Sequence, residues 1–314
     1  MKKPLVIISG PTAVGKTDIS INLAKKINGE IISADSIQVY KKMDIGSAKI
    51  KPEEMQGVTH YMIDELEPDE DFNVYKFKEL ALKYLDVIYS KGKIPIVVGG
   101  TGFYVQALLY DVDFAENEEN TDIREELYNL AEEKGVSFLH KILEEIDPES
   151  ASQIHENNIK RVARAIEYYK QTGCKISEHN KEQHLKDSPY NFAYFVLNRK
   201  REELYNRINK RVDIMHNKGI IDEVANLKSL GYSRNLTSMQ GIGYKEIYAF
   251  LDGECSEDEA FDKIKQNTRH FAKRQLTWFR REKCVEMLEY EEFSNDSNLL
   301  LDEMIKKLKN KNII

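Results

Sequence analysis

A phosphate-binding loop is the clearest chemical feature of the sequence. Residues 10–17 read GPTAVGKT and match the pattern G-x-x-x-x-G-K-[ST] at every fixed position. The two glycines allow the backbone to turn so that successive N–H groups point at one anion, and the following helix adds its positive end. The predicted phosphate site consists of Gly10, Pro11, Thr12, Ala13, Val14, Gly15, Lys16 and Thr17. Lys16 supplies a mobile positive charge and the Thr17 hydroxyl suits Mg²⁺. A triphosphate and a diphosphate ester would both fit this loop.

Asp35 and Thr101 are two further candidates, because each follows a predicted strand. P-loop NTPases usually hold Mg²⁺ with an Asp at the end of another strand. Here the apolar run at residues 94–98 is followed by Gly-Gly-Thr-Gly, which offers the Thr101 hydroxyl and no carboxylate. Ligands bind beyond the carboxyl ends of parallel strands, so we expect both side chains beside the phosphate loop. The alternative is that each side chain only caps the turn or helix that begins there.

Two basic segments favour a polyanionic partner. Residues 268–283 carry six cations against one acid, and residues 199–211 carry six cations against two acids. On a helix, the cations of the first segment form a stripe beside Phe271 and Trp278. Such a concentration of charge, in a chain with a net charge of −7, indicates nucleic-acid binding. An ordinary solvated helix face is the alternative interpretation.

The elements that must position these residues follow from the hydrophobic pattern. Apolar runs alternate with helical stretches in the first hundred residues, which predicts a parallel, doubly wound α/β sheet. The predicted strands are residues 5–9, 30–33, 60–64, 94–98, 192–197 and 285–289. An acidic connector at 111–120 leads into a helical region without a strand. We therefore predict a P-loop NTPase-like core of residues 1–120 and 190–314, with C-terminal helices that bind nucleic acid, and a helical insertion domain of residues 121–189.

The composition argues against several other classes of protein. No apolar segment approaches the roughly 18 residues of a membrane span, and the N-terminal apolar run is too short for a signal peptide. The three cysteines lie far apart and form no C-x-x-C pair. A disulfide framework and a cysteine zinc site are therefore not expected. A reducing cytoplasm is the expected compartment, and no membrane partner is expected.

In detail, the sequence resembles the tRNA dimethylallyltransferases, also called tRNA isopentenyltransferases. The resemblance covers nearly the whole chain, and its most specific parts are S-A-D-S-x-Q-V-Y at residues 33–40 and K-R-Q-x-T-W-x-R at residues 273–280. The chain departs from the usual family residues at Ser47, Tyr61 and Lys160. These departures weaken the transfer of residue roles at those positions only.

The resemblance implies a prenyl transfer to RNA. A dimethylallyl group would move from dimethylallyl diphosphate to N6 of the tRNA adenosine on the 3′ side of the anticodon, and diphosphate would be released. Asp35 would act as the general base and Thr101 would position the reacting groups. Lys16 would stabilise the leaving diphosphate, with Mg²⁺ on Thr17. A cation from the helix that carries Arg207 and Arg211 would reach the diphosphate from the second basic segment, with Arg211 favoured.

The resemblance also implies a set of tRNA contacts and a binding partner. The partner would be the anticodon stem-loop of tRNA, bound by a monomeric protein with the target base flipped into the site. The implied contacts are Asp35, Ser36, Ile37, Gln38, Thr101, Arg124, Lys160, Arg161, Arg164, Gln240, Gly241, Gly243, Tyr244, Lys245, Lys273, Arg274, Gln275, Thr277, Trp278 and Arg280.

Three alternative functions share part of this pattern. A small-molecule P-loop kinase would have the same fold and anion loop, but it would need a phosphate acceptor site. An RNA-binding NTPase switch would bind both ligands without group transfer. An adenylate prenyltransferase acting on free nucleotides is disfavoured by the helical insertion and the basic C-terminal half.

Overall fold

A computed structural model describes residues 2–112 and 121–314, which form six strands and thirteen helices. The strands are β1 (Lys3–Ser9), β2 (Gly29–Ser33), β3 (His60–Tyr61), β4 (Ile94–Gly99), β5 (Tyr190–Asn198) and β6 (Val285–Glu289). The helices are α1 (Lys16–Ile27), α2 (Val74–Ser90), α3 (Gly102–Leu109), α4 (Thr121–Lys134), α5 (Val136–Ile146), α6 (Pro148–Gln153), α7 (Ile159–Thr172), α8 (Ile176–Leu185), α9 (Arg201–Asn217), α10 (Ile220–Ser229), α11 (Tyr244–Leu251), α12 (Glu257–Phe279) and α13 (Ser297–Asn310).

The strands form one parallel sheet in the order β3-β2-β4-β1-β5-β6. The predicted parallel α/β sheet is therefore confirmed. The central strand β1 pairs with β4 on one side and β5 on the other, with Ile7 opposite both Val97 and Tyr194. Leu5 to Ile8 are all buried, as expected for a strand covered on both faces. The carboxyl ends of β2, β4 and β1 consequently lie side by side.

Helix α1 carries the phosphate loop into the core. Its buried residues Ile19, Leu23 and Ile27 recur every four positions, which places them on one face of the helix. They join a hydrophobic core that also contains residues of the strands and of α13, such as Ile8 and Leu300. Burial of this face fixes the start of α1, and with it the direction in which the loop amides point.

The chain divides into two compact units. One consists of Met1–Leu109 and Pro189–Ile314, and the other of Tyr110–Ser188. The second unit has its own apolar core, which includes Leu127, Leu143 and Ile166. An independent insertion domain at residues 121–189 stays a prediction. Residues 113–120 of the predicted acidic connector lie outside the described residues.

The basic helix is shorter at its C-terminal end than the sequence pattern predicts. Helix α12 ends at Phe279, so Arg280, Arg281 and Lys283 lie beyond it. The last N–H groups bond in tighter turns, and Cys284 adopts a left-handed backbone with φ of 59° before β6 begins. The chain must turn between the end of the helix at Phe279 and the start of β6 at Val285, which limits the length of the helix. Among the described residues, none of the helices is long and apolar enough to cross a bilayer.

Candidate active site at the carboxyl edge of the sheet

The phosphate loop adopts a conformation that requires its glycines. Gly10 and Gly15 have φ of 145° and 108°, and Ala13 also lies in the left-handed region. A Cβ at Gly10 would lie 2.5 Å from the carbonyl oxygen of Leu197, and one at Gly15 would lie 3.1 Å from the Tyr290 hydroxyl. A side chain at either position would combine backbone strain with a steric clash. The sequence pattern thus corresponds to a real conformational requirement.

Two arginines hold the carbonyl side of this loop. Arg207 Nε donates to the carbonyl oxygen of Ala13 at 2.8 Å, and Arg199 Nε donates to that of Val14 at 3.1 Å. The Arg199 guanidinium also stacks on Tyr290, 3.5 Å from the ring centroid. Within the described residues, no protein acceptor bonds the N–H of Ala13 or Gly15. With the carbonyls occupied from one side, these amides remain available to an anion.

Lys16, Arg211 and Asp35 form one electrostatic group beside the loop. Lys16 Nζ donates to the carbonyl oxygens of Gly10 and Pro11, each at 2.9 Å. Burial, and after it the nearby Arg211, lower the pKa of Lys16 to about 8 in spite of Asp35, which acts to raise it. Burial likewise lowers the pKa of Arg211, and Asp35 again opposes the shift. Two partly desolvated cations with one carboxylate leave an excess of positive charge, which favours an anionic ligand.

Asp35 caps a turn and keeps one oxygen unused. Its Oδ1 accepts the backbone N–H of Ile37 at 2.9 Å and that of Gln38 at 3.3 Å. The capping interpretation of Asp35 is thus correct for a turn, and no helix follows at residues 36–40. In the described parts of the chain, no group donates to Oδ2. The carboxylate therefore combines a fixed orientation with a free acceptor.

Thr101 is held next to Asp35 through the backbone. Ala34 N–H donates to Val98 at 2.8 Å, and Thr101 N–H donates to Ala34 at 3.4 Å. A Cβ at Gly99 would lie 2.1 Å from the carbonyl oxygen of Ala34, so the loop after β4 presses directly on the segment that carries Asp35. Thr101 also accepts the first backbone bond of α3 from Tyr104 at 3.0 Å. The two candidates from neighbouring strands are thereby brought together.

The segment at residues 240–245 lies beside the Asp35 turn, but its tyrosine is packed inside. A Cβ at Gly241 would lie 3.1 Å from Ile37 Cδ1. Tyr244 is fully buried against Gly46, where its ring would lie 2.6 Å from a Cβ. Gln240 is exposed and Lys245 is partly exposed, whereas Gly243 is buried with Tyr244. Tyr244 as a tRNA contact stays a prediction, and its ring supports the fold in this structure.

Glu223 is an organising residue to which no pattern in the sequence pointed. Its two oxygens accept the backbone N–H groups of Asp44, Ile45 and Gly46 at 2.7–3.1 Å. Oε1 also accepts the hydroxyl of Tyr244 at 2.8 Å. This carboxylate ties the loop after β2 to helices α10 and α11. In the sequence it is one acid among several on an ordinary amphipathic helix.

Helix α12 presents its cations to solvent and two other side chains to the site. Lys273, Arg274, Thr277 and Arg280 are exposed, and no described acid pairs with any of these three cations. Gln275 is buried, and Trp278 lies where a Cβ at Gly102 would come within 2.2 Å of its ring. The helix therefore has a cationic outer face and an inner face fitted to the loop after β4.

The second unit contains its own cationic arrangement. Arg124 Nε and Arg164 Nη1 each donate to Oε2 of Glu167 at 2.9 Å, and Glu167 is completely buried. Lys160 and Arg161 are exposed on the first turn of α7. Glu167 thus fixes two of the four predicted cationic tRNA contacts in this unit. The role of Glu167 was not anticipated from the sequence.

A divalent metal has suitable oxygen donors here but no cluster of protein ligands. Among the described residues, no group of three or more His, Cys, Asp or Glu side chains could hold a metal. The Thr17 hydroxyl is exposed at the first turn of α1, and Asp35 Oδ2 is unused. Mg²⁺ commonly binds through one or two protein oxygens, substrate phosphates and water. The donor set fits such an ion.

Comparison with known proteins gives consistent matches. The family model described as IPP transferase matches residues 38–282, and that described as isopentenyl transferase matches residues 3–71. The tRNA dimethylallyltransferase of Lachnoclostridium phytofermentans is 60% identical over 312 residues, covering 99% of both chains.

Two solved structures are also similar. The tRNA isopentenylpyrophosphate transferase of Bacillus halodurans superposes with a TM-score of 0.74 at 43% identity, covering 99% of this chain and 98% of that one. A eukaryotic dimethylallyltransferase acting on tRNA superposes with a TM-score of 0.76 at 30% identity, covering 91% of this chain and 74% of that one.

Proposed function

The chain belongs to the IPP transferase family, and from that premise we propose how its active site transfers a dimethylallyl group to tRNA. The protein is a prenyl-transferring enzyme that modifies tRNA. The donor is dimethylallyl diphosphate, and the acceptor is N6 of the adenosine on the 3′ side of the anticodon. The observation that carries this assignment is Asp35, whose free oxygen lies in one electrostatic group with Lys16 and Arg211.

The phosphate loop binds the leaving group. The free amides of Ala13 and Gly15 and the cations of Lys16 and Arg211 surround the diphosphate. As the bond between the allylic carbon and the diphosphate oxygen breaks, negative charge grows on that oxygen. Cations and amides that are already in place stabilise this charge without reorganisation. Arg207 is bonded to the carbonyl of Ala13 and supports the loop, which favours Arg211 as the arginine that reaches the substrate.

Asp35 receives the proton of the acceptor amine. N6 of adenine attacks the allylic carbon, a new carbon–nitrogen bond forms, and diphosphate departs. The nitrogen becomes acidic only as this bond forms, so an ordinary carboxylate suffices as the base. Oδ2 of Asp35 takes the proton while Oδ1 stays bonded to the turn. The Thr101 hydroxyl positions the reacting groups, since the backbone N–H of Thr101 is bonded to Ala34, the residue before Asp35.

The exposed cations bind the RNA. An adenosine stacked in the anticodon loop cannot reach this edge of the sheet, so it must be flipped out of the stack. In this proposal Ser36, Ile37, Gln38 and the segment at residues 240–245 contact the flipped nucleotide, and the outer face of α12 supplies phosphate contacts. Arg124, Lys160, Arg161 and Arg164 of the second unit bind the same tRNA.

Mg²⁺ completes the proposed site. The Thr17 hydroxyl and the diphosphate oxygens would hold it, and when bound it supplies positive charge for the leaving group. The residues of this chain orient the diphosphate, exclude water from the carbon that is attacked, and accept the amine proton. We further propose that the enzyme acts as a monomer in the cytoplasm.

One experiment tests the function against its alternatives. The protein is incubated with dimethylallyl diphosphate, Mg²⁺ and unmodified tRNA, and the digested nucleosides are analysed by mass spectrometry. The expected product is N6-dimethylallyladenosine, which should be absent when the acceptor adenosine is replaced by guanosine. Transfer of the γ-phosphate of ATP to a small acceptor, with no prenylated RNA, would overturn the proposal. Preference for free AMP over tRNA would reassign the acceptor.

A further inference from the structure

Gln275 joins two loops of the active site through both ends of its side-chain amide. Its Oε1 accepts the backbone N–H of Thr12 at 3.0 Å, and its Nε2 donates to the carbonyl oxygen of Gly100 at 2.9 Å. The residue is only 6% exposed, so both bonds are shielded from water. The neighbouring Lys273 and Arg274 on the same helix are exposed. Gln275 therefore faces the substrate loops, whereas its neighbours face outwards.

Two glycines after β4 make room for this contact. A Cβ at Gly100 would lie 2.1 Å from Gln275 Nε2, and a Cβ at Gly102 would lie 2.2 Å from Trp278 Cδ1. Neither distance is tolerated by real side chains, so the fit depends on glycine at both positions. The G-G-T-G sequence after β4 and the Q-x-x-W sequence on α12 thus form complementary surfaces.

Gln275 links the loops after β1 and β4 beyond the point where the two strands stop pairing. The last paired residues of β1 and β4 are Ser9 and Gly99. Beyond them, within the described residues, no backbone hydrogen bond joins the phosphate loop to residues 100–102. Parallel strands that leave a sheet are free to diverge, so the gap between these loops needs another restraint. Gln275 supplies this restraint. It bonds Thr12, three residues after the last paired residue of β1, and Gly100, one residue after the last paired residue of β4.

We propose that Gln275 is a positioning residue that sets the width and the anion capacity of the phosphate loop. It occupies the N–H of Thr12, so the amides left for a ligand begin at Ala13. It also fixes the distance from these amides to the loop that carries Thr101. With the Thr12 amide occupied and the distance to the facing loop fixed, the phosphate loop has fewer donors for an anion. It therefore suits a diphosphate better than a triphosphate. This inference rests on the proposed function, because it takes diphosphate as the bound group.

The test compares Gln275→Met with the exposed Gln266→Met on the same helix. Met has a similar volume but forms neither hydrogen bond. We expect Gln275→Met to lower kcat/KM for dimethylallyl diphosphate by about 10- to 100-fold, since small displacements of reacting groups have effects of this size. We also expect the preference for pyrophosphate over tripolyphosphate, measured as competitive inhibition, to narrow by about tenfold, because one more amide becomes available. Gln266→Met should change neither quantity. The family resemblance implies Gln275 as a tRNA contact, but the residue is buried, so we expect the tRNA Kd to be retained in both variants.

A second variant separates the two bonds. Gln275→Glu keeps an acceptor for Thr12 N–H but loses the donor to Gly100. Because it also adds a negative charge beside the anion site, it should lower kcat and weaken the binding of both anions, and the preference for pyrophosphate should not narrow as it does in Gln275→Met. Circular dichroism and Tm identify any variant that has failed to fold, and a purely structural role would change Tm without changing the inhibitor preference. If Gln275→Met does not fold, the test rests on Gln275→Glu, in which kcat should fall without a narrower preference for pyrophosphate.

Two outcomes would overturn the proposal. One is loss of tRNA affinity with unchanged KM and inhibitor preference, which would make Gln275 a tRNA contact. The other is unchanged behaviour of the folded Gln275 variants in every assay. A wild-type enzyme that transfers no dimethylallyl group would instead contradict the proposed function, and the binding of the two anions would still test Gln275.

Discussion

Strand β2 carries a carboxylate near each of its ends, and the two are used in opposite ways. Glu30, at the amino end, accepts Lys93 Nζ at 2.7 Å, Lys91 Nζ at 3.0 Å and the Tyr61 hydroxyl at 2.7 Å. Its side chain is 2% exposed. Asp35, just beyond the carboxyl end, uses only Oδ1.

The contrast separates a structural carboxylate from one that is available for chemistry. Burial by itself would raise the pKa of Glu30, but hydrogen bonds from Lys93, Tyr61 and Lys91 outweigh it and lower the pKa to about 2. Each oxygen of Glu30 has a charged partner, so no acceptor capacity remains for a substrate. Asp35 has an oxygen without a donor and two cations nearby. We therefore expect catalysis at the carboxyl end of β2, where one carboxylate oxygen lacks a donor and positive charge is in excess.

The strongest test of this contrast is Asp35→Asn. Asn keeps an oxygen that can accept the N–H groups of Ile37 and Gln38, so the turn should persist. It cannot take the proton from N6, and loss of a general base typically costs about 10²–10⁴-fold in rate. We expect a loss of that size in single-turnover prenyl transfer, with tRNA affinity and Tm nearly unchanged. A near-normal rate would show that Asp35 serves only as the cap of the turn.

The cations at the two ends of the sheet should differ in a similar way. Lys273 and Arg280 have no acidic partner among the described residues, whereas Lys91 and Lys93 are paired with Glu30. Lys273→Ala combined with Arg280→Ala should weaken tRNA binding and reduce the slope of log Kd against log salt by roughly 1.5–2 units, since each phosphate contact releases about one counterion.

The matched control for this double variant is Lys91→Ala combined with Lys93→Ala, which removes the same number of charges. It should leave the salt slope unchanged, because both lysines are paired with Glu30 at the amino end of β2, away from the proposed tRNA surface. Equal slopes in the two double variants would mean that net charge, rather than the outer face of α12, determines tRNA binding.

Glu30→Gln should affect stability and leave catalysis intact. The folded pKa of about 2 lies below the ordinary value of 4.5, so Glu30 stabilises the fold above pH 4.5 and loses this contribution as pH falls towards 2. Hydrogen bonds to charged groups are worth about 1.5–3 kcal/mol each, but the lysines here are half exposed and can return to water, so we expect a net loss of roughly 1–3 kcal/mol at neutral pH.

Urea unfolding at neutral and acidic pH measures this loss. The difference between wild type and Glu30→Gln should shrink as the pH is lowered, while kcat at neutral pH stays the same in both. A large fall in kcat without a change in stability would contradict the division of roles between the ends of β2.

The sequence predicted which candidate residues lie together where that placement depends on short, local patterns. Gly10 to Thr17 form a contiguous motif between a strand and a helix, and Asp35 and Thr101 follow apolar strands, so strand order alone brings them to one edge. The sequence did not predict where helices end or which side chains link distant parts of the chain. The end of α12 at Phe279 depends on where β6 must begin, and Glu223, Glu167 and Gln275 act on partners far away in the chain. Such contacts arise from packing, and the residue type alone gives no sign of them.

The smallest predicted effect concerns Lys16, which couples the phosphate loop to Asp35. Its pKa of about 8 means that the free enzyme carries only part of this charge in mildly basic solution. Binding of dimethylallyl diphosphate should raise that pKa, because a nearby anion favours the protonated amine. Near the pKa we therefore expect uptake of roughly half a proton per diphosphate bound, and almost none at more acidic pH. Calorimetric titration in buffers of different ionisation enthalpy measures this number.

Lys16→Arg keeps the charge but stays protonated, so the uptake should vanish. Asp35→Asn removes a group that raises the pKa of Lys16, so the pH of maximal uptake should shift downwards, whereas Glu30→Gln should leave it unchanged. An equal shift in both variants would mean that the two carboxylates of β2 influence the loop alike, contrary to the geometry.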